Sequence, residues 1–330
     1  MPANLPPQYF EAEKEYRLAK EPEDKIKAIN KMLMIMPKHK GTDKLKADLR
    51  RKIAKLKEES KHKKALQKRA ASITVEKEGA AQIALAGLPN VGKSALISSL
   101  TNAKPQVADY PYTTRLPIPG MLQFENLSFQ LVDLPPIISD FAYAWLPNIL
   151  RKADCLLIVL DGSVAPDMEW DEINQLLSHW KINLINKSRT NLKEEPFVNK
   201  KGVILCNKID LEESLKNFLS LQNSLGDEYI ILPTSAINGR GIEKIGETVF
   251  KELEIIRIYT KTAGKKPNYN SPFVLPKGST VEDLAYGIHK HIPDLLMYAR
   301  IWGSTRFPGQ RVQRDYVLQD NDVVELKLNK

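Results

Sequence analysis

The chain has 330 residues, 42% hydrophobic and 27% charged, a balance that suits a globular protein of two or three domains and argues against a disordered or fibrous one. No apolar run approaches the roughly 18 residues of a membrane span, and the N-terminus lacks a basic start followed by a short apolar segment and a cleavage site, so the expectation is a cytoplasmic protein with no membrane partner. The formal net charge of +9 is uneven: residues 1–70 carry +10, residues 71–253 carry −5 and residues 254–330 carry +4, and basic ends around an acidic middle predict contact with a polyanion.

The first segment, 1–72, reads as a basic helical hairpin. Ile26, Ile29, Leu33 and Met36 form one apolar stripe, and Leu45, Leu49, Ile53 and Leu56 form another. Pro22, followed by Glu23 and Asp24, suits a first helical turn. Pro37 and Gly41 punctuate the gap, and Thr42 is placed to cap the second helix. Such a hairpin is free to pack on the middle domain, pair with another chain or lie against RNA.

From Ile73 the pattern changes to short apolar runs alternating with helical stretches. "QIALAGLP", "LSFQLVDLP", "CLLIVLDGS", "GVILCNKID" and "YIILPTSA" read as strands, most too apolar to have an exposed face. That is the signature of a mostly parallel α/β sheet covered by helices. "RLPIPGMLQFENLSFQ" adds an antiparallel hairpin turning near Glu125-Asn126, and the polar stretch 183–201 reads as a loop or small insertion. Cys155 and Cys206 lie inside apolar runs and read as buried free thiols. The middle domain is set at 73–254. Residues 255–330 form a small α+β module with strands in "IRIYTK", "SPFVLP", "ARIWG" and "DVVELKL" and a helix in "TVEDLAYGIHKHI" capped by Thr280. Tyr298 and Trp302 read as core aromatics. His289 and His291 fall two apart on that helix, on different faces, so no metal site is expected there.

The chemistry begins at "GLPNVGKS", Gly87–Ser94. It follows a strand and opens a helix, as a phosphate-binding loop must. Backbone N–H groups of the loop, at Gly87, Asn90, Val91, Gly92, Lys93, Ser94 and Ala95, cradle phosphates, Lys93 bridges the β- and γ-phosphates, and Ser94 ligates Mg²⁺. "LVDLPPII" then supplies Asp133 as a second magnesium contact. "NKID" names the base: a carboxylate at Asp210 accepts both N1–H and N2–H of guanine, whereas adenine would leave it unpaired, a discrimination worth roughly 10⁴. Lys208 lies along the base and Asn207 ties loops together. "TSA" offers Ser235 and Ala236 toward the guanine oxygen. The third magnesium contact, which also senses the γ-phosphate, is Thr114 in "YPYTTR", with Thr113 as alternate.

Together, "GLPNVGKS", "DYPYTT", "DLPP", "NKID" and "TSA" resemble the Obg-type translation-factor GTPases. The run from "IRIYTK" to "YARIWG" looks very like the TGS domain of the developmentally regulated GTP-binding proteins, and the lysine-rich hairpin is similar too. The resemblance implies a Ras-like P-loop GTPase fold with a C-terminal, β-grasp-like TGS domain, GTP/GDP and Mg²⁺ as cofactors, work on a ribosome or structured RNA, and a partner protein. It also implies a potassium ion held by Asn90, so that Lys93, Asn90 and Thr114 carry catalysis.

Two departures bear on activity. Pro136 stands where the D-x-x-G glycine of the second switch would donate an N–H to the γ-phosphate, and proline has none. The segment after it, "IISDFAYAWLPNILRKAD", is short and lacks the family's glycines, and the helical insertion before the guanine motif is absent or reduced to 183–201. Ile137 takes the place where many GTPases carry a glutamine. The expected function is a slow Mg²⁺-dependent GTPase of translation or ribosome assembly. The alternative is a GTP/GDP-binding adaptor with little or no hydrolysis. A metabolic nucleotide kinase fits poorly, since no acceptor-substrate motif accompanies the base-reading one.

Overall fold

The computed structural model describes residues 6–19, 22–36, 42, 45–57, 73–101, 117–138 and 143–329. The chain divides into two compact units, 1–73 and 74–330.

In the first unit, α1 (Pro7–Leu18) and α2 (Pro22–Ile35) precede a third helix, α3, over 45–57. Tyr9 and Ala12 of α1 pack with Ile29, Met32, Met36 and Leu49. Both expected stripes are therefore helical, and α2 opens at Pro22 as its first-turn chemistry demands. The expected hairpin gains a helix at its start. α1 escapes a periodicity reading because its buried face is two tyrosines and an alanine, Tyr9, Ala12 and Tyr16, in an otherwise charged run.

The second unit opens with a seven-stranded sheet. Its strands are β1 (Ala81–Ala86), β2 (Ile118–Phe124), β3 (Leu127–Asp133), β4 (Cys155–Asp161), β5 (Ile182–Leu184), β6 (Val198–Asn207) and β7 (Ile231–Pro233). The order is β2-β3-β1-β4-β6, with β5 and β7 both paired to β6. Only β2–β3 is antiparallel, turning at Glu125 and Asn126 as expected. Every residue of β1 and β4 is buried, which is why these strands carry no polar alternation. Among the described residues five helices accompany the sheet: α4 (Lys93–Leu100), α5 (Leu146–Lys152), α6 (Pro166–His179), α7 (Ser214–Leu225) and α8 (Glu243–Leu253). The polar stretch 183–201 is only partly loop. It overlaps β5 and enters β6 at Val198, and Asn183 Nδ2 donates to Asn199 Oδ1 at 2.8 Å.

The remainder is a five-stranded mixed sheet ordered β11-β10-β12-β8-β9. It comprises β8 (Ile255–Thr260), β9 (Phe273–Pro276), α9 (Val281–Ile288), α10 (Ile292–Leu295), β10 (Leu296–Trp302), β11 (Gln310–Val312) and β12 (Asp322–Leu328). Thr280 and Asp283 form a reciprocal capping box at the start of α9, and Val281, Leu284 and Ala285 pack on Ile256, Ala299 and Ile301 of the sheet.

Two sequence expectations change here. The helix stops at Ile288, so His289 caps it in an extended conformation and its ring approaches His291 at 5.4 Å; among the described residues no third ligand joins them. Tyr298 and Trp302 are not core aromatics. They alternate with the buried Ala299 and Ile301, lie half-buried on the other face of β10, and are covered by Arg311 at 4.0 Å and Lys261 at 3.9 Å.

The two sheets are joined by a specific contact at the β2–β3 turn. Arg257 of β8, 8% exposed, hydrogen-bonds Asp320 through Nε at 3.1 Å and Nη2 at 2.6 Å, pairs with Glu125 and covers the Phe250 ring. Asn126 donates to the Tyr259 hydroxyl at 2.6 Å. Among the described residues no helix is long and apolar enough to cross a membrane.

Candidate nucleotide-binding site

The carboxyl ends of β1, β3, β4 and β6 come to one edge of the sheet, where β1 separates strands running off to either side. This is where open α/β sheets hold ligands. It gathers Gly87, Asp133, Asp161 and Asn207.

The loop after β1 turns on two left-handed residues, Asn90 (φ 64°) and Gly92 (φ 93°), before α4 begins at Lys93. Gly92 is required for space as well as for φ: a Cβ there would lie 2.4 Å from Asn207 Nδ2. Asn207 is 1% exposed and performs the tying role expected of it. Its Nδ2 donates to Val91 O at 2.8 Å, and its Oδ1 accepts from Ala236 N at 3.2 Å. One side chain thus fastens the phosphate loop and the loop after β7 to the end of β6.

Lys93 is buried, with Nζ donating to the carbonyls of Gly87 at 2.9 Å and Leu88 at 2.8 Å. Ser94 and Ala95 are exposed on the first turn of α4. Ser94 Oγ donates to Asp133 Oδ2 at 2.9 Å. Adjacent ligands of an octahedral Mg²⁺ with bonds near 2.1 Å sit about 3.0 Å apart, so these two oxygens fit that ion.

At the base end, Asp210 is exposed beyond the turn after β6, and Ser235 Oγ donates to its Oδ1 at 2.5 Å. Lys208 adopts a left-handed backbone (φ 63°), and its ammonium pairs with Asp161. The motif residues Asn207, Lys208, Asp210, Ser235 and Ala236 therefore converge, and Asn90, Val91 and Gly92 join them through Asn207. Thr114 and its alternate Thr113 lie outside the described residues.

Described residues on both sides of 139–142 are packed into the core. Ile137 is fully buried, and its N–H donates to Gly87 O at 3.1 Å. Trp145, Leu146 and Leu150 are also fully buried. The next N–H after Pro136 is thus spent on the phosphate loop itself.

Asp161 and Ile137 N–H are the two features sequence reasoning missed. An acid ending the strand beside "NKID" was a visible signal for the first. The second has none, because every residue but proline has the same N–H.

Residues 82–200 match the family model described as 50S ribosome-binding GTPase, and residues 256–328 match the TGS domain model. Fold, loop and base motif together define a P-loop GTPase with a C-terminal TGS domain. The chain is 28% identical to an uncharacterized GTP-binding protein of Methanocaldococcus jannaschii, over 93% of each chain. It is 26% identical to developmentally-regulated GTP-binding protein 2 of Homo sapiens, covering 92% of this chain and 98% of that one. The YchF GTPase of Schizosaccharomyces pombe shares the fold at a TM-score of 0.54 and 14% identity, over 77% of this chain and 100% of that one. Over most of its length the protein is thus similar to the developmentally-regulated GTP-binding proteins.

Proposed function

We propose that this protein is a slow, Mg²⁺-dependent GTPase acting on ribosomes or another structured RNA in the cytoplasm. Its parts are a basic helical region over 1–72, a GTP-binding domain over 73–254 and a TGS domain over 255–330. Lys93 meets the β- and γ-phosphates, Ser94, Asp133 and Thr114 hold the metal, and Asp210 reads guanine with Lys208, Ser235 and Ala236 around it. Mg²⁺, when bound, neutralises phosphate charge, which is most of what phosphoryl transfer requires. Asn90 is the residue to hold an accelerating K⁺.

The single observation that supports slow turnover is the Ile137 N–H bond to Gly87 O behind Pro136. Pro136 has no N–H, and this bond occupies the next one along the second switch. An RNA partner is supported by the two basic ends and by the cation-covered Tyr298 and Trp302 on the TGS sheet; a partner protein rests on the family resemblance alone.

The same Ile137 bond favours a second reading, an adaptor in which nucleotide only stabilises the fold. Single-turnover GTP hydrolysis with and without ribosomes separates the two. Phosphate release that ribosomes accelerate supports the GTPase. No release in either condition, with nucleotide still bound, establishes the adaptor.

A further inference from the structure

Lys208 is held by a residue outside every nucleotide motif. Asp161 ends β4 directly beside Asn207, the last residue of β6. Its carboxylate is nearly buried, and its two oxygens are divided. Oδ1 accepts from Ser163 N at 2.9 Å and Ser163 Oγ at 2.5 Å, while Oδ2 receives the Lys208 ammonium. Its own backbone N–H donates to Glu169 Oε2 on α6 at 2.7 Å.

The turn that carries this carboxylate is itself bracketed. Gly162 N donates to Asn207 O at 2.8 Å, and a Cβ at 162 would lie 2.7 Å from that oxygen. Asn217 Nδ2 on α7 reaches the carbonyls of Gly162 at 2.9 Å and Val164 at 2.7 Å. Burial acts to raise the Asp161 pKa, but the hydrogen bonds from Lys208 and Ser163 outweigh it and leave the pKa below the ordinary carboxylate value. The group is anionic at neutral pH. A lysine stem has many rotamers, and ordering it when a base arrives costs affinity. A stem whose charged end is already tethered avoids that cost.

We propose that Asp161 is a positioning residue for guanine nucleotide binding, fixing Lys208 so that its stem is set before the base arrives. This inference rests on the reading of 207–210 as the guanine site. Because GTP and GDP share the base, losing Asp161 weakens both by the same factor. It leaves their ratio alone, unlike any change at Pro136.

The test is a coupling experiment on the full chain in magnesium buffer, reading the affinity of N-methylanthraniloyl-GDP and of a matching non-hydrolysable GTP analogue. Asp161→Asn is expected to weaken both about tenfold, the effect of one charged hydrogen bond. In a Lys208→Met background, which keeps the stem but has no charge to tether, the same change should cost less than about twofold. Ser163→Ala releases one carboxylate oxygen and should give a smaller loss that also depends on Lys208, which keeps the inference testable if Asp161→Asn folds poorly. If Asp161→Asn or Ser163→Ala costs as much in the Lys208→Met background as with lysine present, the role is merely structural and the inference is overturned. If Lys208→Ala leaves affinity unchanged, the guanine-site reading fails first and takes this one with it.

Discussion

Replacing Pro136 by glycine tests how this protein treats the third phosphate. The substitution restores an N–H where proline has none. A hydrogen bond from that group to a charged phosphate contributes about 1.5–3 kcal/mol. Against it stands the existing lock. Reorienting the segment breaks the Ile137 N–H bond to Gly87 O, which costs about 1 kcal/mol. Ile137 is fully buried, so it holds the segment in place unless the turn alone moves. The net gain is about 0.5–2 kcal/mol, a rise of roughly two- to thirtyfold in the preference for GTP over GDP. The assay is the ratio of affinities for fluorescent GDP and a non-hydrolysable GTP analogue in magnesium buffer. Pro136→Ala runs beside it, restoring the N–H without glycine's freedom. A ratio unchanged in both variants, with thermal stability intact, would refute the reasoning and move γ-phosphate sensing to another part of the protein.

Asn207→Ala strands two buried partners, Val91 O and Ala236 N; it should cost about 2–4 kcal/mol, read as a lowered melting temperature together with a loss of GDP affinity. Arg257→Ala removes the cation shared by Asp320 and Glu125. Because both acids keep some solvent access, the expected loss is about 2–3 kcal/mol, a fall of roughly 4–12 °C in Tm; a change under 1 °C would mean the contact contributes little. Asp161 titrates below its ordinary 3.8 in the folded protein, so its contribution is complete above that value and disappears as pH falls through the folded pKa. The stability gap between wild type and Asp161→Asn should accordingly be flat at neutral pH and close in acid, as measured by urea unfolding. Finally, GTP turnover should be faster in K⁺ than in Na⁺ at equal ionic strength, and Asn90→Ala should abolish the difference; equal rates in the parent protein remove the ion from the mechanism.

The parts of the fold that were legible in sequence are those where chemistry leaves few choices. A phosphate loop must follow a strand and open a helix, so Gly87–Ser94 located β1 and α4 together. Strands buried on both faces have to be apolar throughout, so β4 was plain. Thr280 signalled the start of α9 because capping is local, and the structure adds Asp283 as its reciprocal partner. What stayed hidden depends on neighbours distant in sequence. β5 and β11 are three residues each and exist because a longer strand lies beside them. Trp302 looked like core until the pleat turned it outward under Lys261. In the site, the motifs named their residues; the acid ending "CLLIVLD" was visible in sequence, but its pairing with Lys208 became definite only with β4 laid against β6.

The mooring of the β2–β3 turn has a practical consequence for how the protein can be dissected. Cutting the chain after residue 254 would take away Arg257 and Tyr259, the groups that satisfy Glu125 and Asn126. It would also bare the apolar surface on which Ile255 and Val274 rest. A truncated fragment would therefore carry a raw edge on the hairpin whose second strand ends at Asp133. Kinetic constants taken from such a fragment would describe a wounded enzyme. The C-terminal module is better regarded as part of the chassis than as cargo.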